Sequence, residues 1–378
     1  MLCINNINIK DKKILIRVDF NIPIVNNEIV DISKIEASIV TIKYALAQNA
    51  GVILISHLGD PVNQDQKLSL QIVLPILERL LKIPVLFSNN LFNCLPVFVE
   101  NNQVVLCENI RFIEAEKQNN PEFARYLASL AEIVVMDAFA SAHRKHASTY
   151  GILNYAKLAV AGLLLQKEVV NLQQALINPN RPIVAIVGGA KITTKLTILK
   201  SLLRTVDYLM VGGVIANTCL LAAGYKIGKS TCDLNFLRIA KEVCSNILLP
   251  IDVLVVNKHN AVEQKDIELI DDFDCILDLG SKTVKKYIKL ISIAKTILWN
   301  GPLGKYEDVR FINGTKLLAE AVSNSNGFSI IGGGDTLAVV EQLKINKFSY
   351  ISTGGGAFLE FVEQHNLPML DLLNKFIK

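Results

Sequence analysis

Apolar residues fall into short, nearly unbroken runs: Ile14–Val18, Val52–Ile55, Ile133–Met136, Ile183–Val187, Tyr208–Val211, Val253–Val256, Thr296–Trp299, Phe328–Ile331 and Tyr350–Ser352. They are rich in Ile and Val and do not alternate with polar residues, the pattern of strands buried on both faces of a parallel sheet. Between them lie stretches with helical spacing. Ser33–Ala47 places Ile35, Ile39, Ile42 and Leu46 on one face, and Ser69–Lys82 does so with Leu70, Val73, Leu74, Leu77 and Leu81. Thr194–Leu203, Thr315–Val322 and a long stretch from Gly162 to Ile177 read the same way. Strand and helix in alternation predict an α/β protein of two doubly wound, Rossmann-like lobes. The Asn178-Pro-Asn-Arg-Pro182 segment interrupts the alternation and marks the expected connection between them.

Composition narrows the class. A chain of 378 residues, 51% hydrophobic and 20% charged, has apolar surface enough for two cores and is not disordered. The net charge of +4 is modest. It comes with no Lys/Arg run of the kind that binds nucleic acid or a membrane surface. Seven cysteines, at 3, 94, 107, 219, 232, 244 and 275, form no CxxC pair and sit partly in apolar runs, as free thiols of a reducing cytoplasm do. The first residues lack the apolar core of a signal peptide, and no apolar stretch reaches a membrane span. A soluble, cytoplasmic protein is expected.

In open α/β sheets ligands bind beyond the carboxyl ends of the strands, so the residues after each run carry the chemical information. In the first half these endings are polar: Asp19-Phe-Asn21, Ser56-His-Leu-Gly-Asp60, Glu108-Asn-Ile-Arg111 after Val104–Leu106, and Asp137 followed by His143-Arg-Lys-His146. In the second half they are glycine-rich: Gly188-Gly-Ala-Lys191, Gly212-Gly213, Asn300-Gly-Pro-Leu-Gly304, Gly332-Gly-Gly-Asp-Thr336 and Gly354-Gly-Gly356. Glycine lets the backbone approach a ligand and aim N–H groups at it, and a helix starting there adds its positive end. A nucleotide phosphate site in the second lobe and a small-anion site in the first are expected.

Lys191 and Lys195, four apart after a glycine pair, share a helix face. They make either a solvated face or a pair that neutralises phosphoryl charge. Asp335, directly after three glycines, suits a phosphate-bound Mg²⁺ or a helix N-cap, and both roles are compatible. His57, His143 and His146 have no metal-site spacing and fit anion binding or structural hydrogen bonding. Gly224-Tyr-Lys-Ile-Gly-Lys-Ser230 has too short a glycine spacing for a P-loop and follows no strand, so it reads as a loop. GxGxxG after a strand, HExxH and GxSxG are absent, which argues against a dinucleotide oxidoreductase, a zinc protease and a serine hydrolase.

Taken in order, Arg17-Val-Asp-Phe-Asn-Ile-Pro23, Ser56-His-Leu-Gly59, Glu108-Asn-Ile-Arg-Phe112, Asp137-Ala-Phe-Ala-Ser-Ala-His-Arg144, Gly188-Gly-Ala-Lys191 with Lys195, Trp299-Asn-Gly-Pro-Leu-Gly304, Gly332-Gly-Gly-Asp-Thr336 and Ser352-Thr-Gly-Gly-Gly-Ala357 resemble the motifs of phosphoglycerate kinases over nearly the whole chain. The resemblance implies a monomeric glycolytic enzyme that moves a phosphoryl group between 1,3-bisphosphoglycerate and Mg-ADP, giving 3-phosphoglycerate and ATP. It implies lobes that close over the reactants. The expected division is a phosphoglycerate lobe at 1–168, an interdomain helix or hinge at 169–181, a nucleotide lobe at 182–365, and a tail at 366–378 that packs back on the first lobe. The matched positions place Asp19, Asn21, His57, Gly59, Arg111 and Arg144 at phosphoglycerate, together with Lys34 and Asp60. They place Lys195, Asn300, Glu307, Gly333, Gly334, Asp335 and Thr336 at the nucleotide, with Gly212 and Gly213 against adenine. Lys191, Lys34, Gly333 and Gly356 surround the transferring group, and Asp335 holds Mg²⁺.

The match breaks at a few positions. Lys34 and Asp60 stand where the family has arginines, Val214 and Ala140 where it has glycines, and Lys305 where it has an apolar residue. Lysine keeps the charge of arginine but loses its planar fork, and Asp60 reverses the charge altogether. The expected function is phosphoglycerate kinase, attenuated by Lys34 and Asp60. The competing reading is a turnover-deficient nucleotide-binding or interaction protein on the same scaffold.

Overall fold

The structure is a computed structural model that describes residues 1–93, 97–189 and 196–377, with the backbone alone at 196 and 197. Internal packing divides the chain into two units, Met1–Val170 with Asn366–Lys378, and Asn171–His365. The second boundary returns the C-terminal helix Pro368–Asn374 to the first unit, where it packs on Gly151–Asn154 and on the strand Ala159–Ala161.

The first unit holds six parallel strands: β1 (Lys13–Arg17), β2 (Gly51–Ile55), β3 (Val85–Ser88), β4 (Val104–Cys107), β5 (Ile133–Met136) and β6 (Ala159–Ala161). Their order is β3-β4-β2-β1-β5-β6. β1 pairs with β2 from Lys13 opposite Gly51 to Arg17 opposite Ile55, and with β5 on its other side. All five residues of β2 are buried, which is why its sequence is an unbroken apolar run. The helix Ser33–Ala47 covers the sheet with Ile35, Ile39 and Ile42, as its spacing predicts, with Ala45 buried beside them and the expected Leu46 only partly so. The helix Leu163–Leu176 lies within the Gly162–Ile177 stretch, and its Leu165 N–H donates to Asp137 Oδ1 at 3.0 Å.

The second unit has β7 (Ile183–Val187), β8 (Tyr208–Val211), β9 (Asp252–Val256), β10 (Val262–Asp266), β11 (Cys275–Leu279), β12 (Thr296–Asn300), β13 (Phe328–Gly332) and β14 (Tyr350–Ser352). Five form a parallel sheet in the order β8-β7-β12-β13-β14, and β10-β9-β11 form a separate antiparallel sheet. Both parallel sheets change direction beside their first strand, at β1 and β7. Ligands bind at the carboxyl ends around such a switch point.

Three expectations change. Ser69–Lys82 is a 3₁₀ turn, Leu70–Val73, followed by the α-helix Leu74–Leu81. Pro75 has no N–H to donate back, so one continuous helix cannot run through it. Val253–Val256 is the centre of the antiparallel sheet rather than of a parallel one, because an apolar run reports burial and not direction. Of the expected helix Thr194–Leu203, residues 194 and 195 lie outside the described residues, and the described helix runs Leu196–Thr205. Residues Gly224–Ser230 form a loop with one isolated bridge at Gly228. No helix among the described residues is long and apolar enough to cross a membrane. Cys3, Cys107, Cys219, Cys232, Cys244 and Cys275 are free thiols, and Cys94 lies outside the described residues.

Candidate active site

In the first unit, side chains build the site. β1 ends in Arg17, a guanidinium only 1% exposed. Burying it requires that its donors be met. Nε donates to Ser148 Oγ at 2.9 Å, Nη1 to the Val18 carbonyl, and Nη2 reaches His57 Nδ1 at 3.1 Å. Ser148 passes the network on: its hydroxyl and backbone N–H donate to the two oxygens of Glu116 at 2.7 and 2.8 Å. Burial pushes the Glu116 carboxyl up, while Arg17 and Ser148 pull it back.

Arginine offers only donors, so His57 Nδ1 must accept and its ring proton must sit on Nε2. Burial, followed by the charges of Arg17, Arg111, Arg144 and Lys34, holds this imidazole well below the usual histidine range. His57 is therefore a neutral donor aimed by Arg17.

The loops around it are tied down. Asn109 donates from Nδ2 to Leu58 O at 2.7 Å and Leu68 O at 2.9 Å, fixing the stretch after β2. Asn21 accepts the Gly59 N–H at 2.8 Å, and Asp19 accepts the Asn21 N–H at 3.0 Å. Lys34, from the helix Ser33–Ala47, donates to Asp19 Oδ2 at 3.0 Å. Arg111 is 6% exposed and donates to Gly59 O at 2.6 Å. Burial and the neighbouring Arg144 push its guanidinium down to about 10. The structure thus brings Asp19, Asn21, Lys34, His57, Gly59, Asp60 and Arg111 together, with Arg144 near enough to act on His57 and Arg111.

His143 and His146 lie at the margin. Burial lowers both, His146 to about 4, and His146 Nδ1 stands 3.9 Å from Glu116 Oε1. No group of three or more metal-ligating side chains occurs among the described residues. Arg17, Ser148 and Glu116 carry no expected role in the sequence reading. The available signal was a charged residue closing the apolar, buried run Ile14–Ile16.

In the second unit the backbone builds the site. A cavity of 650 Å³ opens over the ends of the strands. Gly189, Gly213, Pro302 and Gly304 bring backbone to its wall, Val253, Ile276, Leu279 and Leu303 give it apolar surface, and Glu307 and Asp335 give it carboxylates. The close approach requires glycine. A Cβ on Gly188 would lie 2.0 Å from Pro302 O, and one on Gly333, whose φ is +95°, would lie 2.5 Å from Asn300 Nδ2. Gly212 precedes the helix Gly213–Ala222, Gly333 the helix Gly334–Gln342, and Gly355 the helix Gly356–Gln364.

Two of the expected residues hold this framework with their side chains. Asn300 Nδ2 donates to Gly332 O at 2.8 Å. Thr336 is buried, donates to Gly332 O at 2.8 Å and accepts the Gly301 N–H at 2.6 Å, so its hydroxyl is used within the loop. Asp335 is exposed in the first turn of its helix, where Gly333 is the N-cap. Of the two roles open to Asp335, the cap is therefore excluded, and its carboxylate makes no hydrogen bond or ion pair among the described residues. Val214 and Lys305 also line the cavity. Lys191 and Lys195 lie outside the described residues.

Two α/β units with parallel sheets, one with a cationic cluster and one with a glycine-walled cavity at the strand ends, define a two-lobed α/β protein. Comparison with known proteins makes the class specific. The family model described as phosphoglycerate kinase matches residues 4–365. A phosphoglycerate kinase of Baumannia cicadellinicola is 45% identical over 98% of this chain and 97% of its own. One of Francisella philomiragia is 43% identical over 99% and 98%. Among solved structures, phosphoglycerate kinase from Coxiella burnetii superposes with a TM-score of 0.94 at 43% identity, covering all of both chains. That from Pyrococcus horikoshii gives 0.84 at 27% identity, covering 99% of this chain and 98% of its own. The chain belongs to the phosphoglycerate kinase family and is a phosphotransferase with a carboxyl group as acceptor.

Proposed function

We propose that the chain transfers a phosphoryl group reversibly between 1,3-bisphosphoglycerate and Mg-ADP, with phosphoglycerate on the first unit and nucleotide on the second. The observation that carries this reading is the division of labour between the sites. The His57–Arg111–Arg144 cluster suits a small phosphorylated carboxylate, and the 650 Å³ glycine-walled cavity suits a nucleotide.

The chemistry asks little of the protein beyond positioning and charge. An oxygen of the ADP β-phosphate forms the new P–O bond, and the acyl P–O bond breaks with its electron pair leaving on the carboxylate. No proton moves, so no general base is needed. His57 donates from Nε2 to substrate, and Arg111 and Arg144 supply cations. The backbone N–H groups opening the helices Gly334–Gln342 and Gly356–Gln364 face phosphate oxygens. Asp335, exposed and without a protein partner among the described residues, fits a Mg²⁺ that keeps most of its ligands as phosphate oxygens and water. When bound, that ion neutralises charge on the phosphates. Lys191 and Lys195 are proposed to serve the same phosphates. The free thiols are consistent with work in a reducing cytoplasm.

Catalysis is attenuated. Lys34 spends its ammonium on Asp19 and cannot present a bidentate fork, and Asp60 adds a negative charge beside Arg111. A coupled assay of ATP formation from 1,3-bisphosphoglycerate tests the reading. Turnover is expected, with Lys34→Arg and Asp60→Arg each raising kcat/KM about tenfold. Failure of both reversions to raise it removes the attenuation. No turnover with ADP still bound makes the chain a binding protein on this scaffold.

A further inference from the structure

Asp60 does more than subtract charge, because its carboxylate is not idle. Oδ1 lies 2.5 Å from Lys117 Nζ and 3.6 Å from Arg111 Nη1, bridging two cations with one oxygen. Lys117 ends the short helix Glu114–Lys117, and its ammonium also donates to Pro61 O at 3.2 Å, which fixes it against the loop after β2. Its charge is felt, weakly, at His146 on the margin of the same cluster. A basic side chain from a different element thus stands beside Arg111, next to the position where the family's arginine is replaced by an acid. An anion bridging an ammonium and a guanidinium occupies the kind of place that a phosphate oxygen takes. The Asp60 side chain is 73% exposed, so leaving that place returns it to water. An exposed pair of this kind is weak and is readily displaced by a dianion.

We propose that Lys117 is a substrate-binding residue for the phosphate of phosphoglycerate, and that Asp60 holds its place as an internal anion until substrate displaces it. The inference rests on the phosphoglycerate site being where the proposed function puts it. It differs from simple charge loss in naming a new cation and in predicting that removal of Asp60, with no arginine restored, is enough to tighten binding.

Titration calorimetry with 3-phosphoglycerate, and separately with ADP, on the native chain, Asp60→Asn, Lys117→Met, Lys117→Arg and the Asp60→Asn/Lys117→Met double variant tests it. Asp60→Asn is expected to bind 3-phosphoglycerate about three- to fivefold more tightly, with ADP affinity unmoved. Adding Lys117→Met is expected to abolish that gain, because the phosphate then lacks its ammonium, while Lys117→Arg keeps native affinity or better. Unchanged or weaker binding by Asp60→Asn overturns the inference. So does a double variant that binds as tightly as Asp60→Asn, since Lys117 would then be only a partner of Asp60. If every protein binds ADP and none binds 3-phosphoglycerate, the site assignment itself falls and takes the inference with it.

Discussion

The two sites are made of different material. In the first unit, Arg17, His57, Arg111 and Lys34 are placed by hydrogen bonds to Ser148, Gly59 and Asp19, and each contributes a side chain. In the second unit, the cavity wall is backbone brought close by Gly189, Gly213 and Gly304, with Gly188 packed on Pro302 behind it, and the side chains of Asn300 and Thr336 brace it. A site made of side chains is tuned by charge and can drift one residue at a time, as Lys34 and Asp60 show. A site made of backbone tolerates little more than glycine at its closest approaches. Lys34 and Asp60, which alter arginine positions of the family, both fall in the first unit, while Val214 and Lys305 stand at the cavity of the second.

The largest expected effect lies where the side-chain site meets the core. Arg17→Met leaves Glu116 buried with its neighbouring cation gone, and removes the donor that fixes the tautomer of His57. Breaking such a buried arrangement from one side costs about 3–5 kcal/mol. Thermal unfolding should show the loss, and hydrogen exchange should place it in β1 and β5 rather than in β12 and β13. Equal loss in both units would mean that the two sites are held in the same way.

How much of this was legible depended on the kind of signal. The unbroken runs at Val52–Ile55 and Ile183–Val187 report strands buried on both faces, and both lie in parallel sheets. The polar Val262–Asp266 gave no such signal, since an edge strand half in water needs no apolar pattern. Glycine loops at Gly188, Gly212 and Gly332 are visible as letters because glycine is required for what they do. Asp335 was legible as a carboxylate after three glycines, though only the structure excludes the cap. Glu116, Ser148 and Lys117 were not legible. Each acts through a partner far along the chain, Glu116 and Ser148 32 residues apart and Lys117 56 from Pro61, and no local pattern encodes that distance.

The backbone site makes the next prediction. Gly188→Ala places a methyl 2.0 Å from the Pro302 carbonyl oxygen, and a backbone atom cannot swing aside as a side chain does. Overpacking of this kind costs about 3 kcal/mol at its upper end. Titration with ADP should show affinity down at least about tenfold. Binding of 3-phosphoglycerate to the same protein should be unchanged, because the first unit is untouched. Loss of both would show the two sites to be less independent than their construction suggests.

The smallest effect separates the units by pH. His57 and His146 are held below the ordinary histidine value by burial and by neighbouring cations, His146 at about 4. Below about pH 6.5 the unfolded chain takes up protons that these native sites refuse, so stability falls as the pH drops. Between about pH 6.5 and 5.5 His57 and His146 each account for about 1 kcal/mol, and His143, also lowered by burial, adds in the same direction. The second unit has no buried histidine among the described residues. Buried carboxyls work in the other direction: Asp137 and Asp278, each pushed up to about 7 by burial, give stability present below the unfolded carboxyl value and lost as the pH rises through about 7. One stands in each unit, so these two cancel in the comparison, while Glu116, also raised by burial, offsets part of the histidine effect in the first unit. Acidification from pH 6.5 to 5.5 should therefore speed hydrogen exchange in β1, β2 and β5 more than in β7, β12 and β13, and His146→Gln should remove part of the difference. An equal response in the two sheets would break the link between side-chain construction and acid sensitivity.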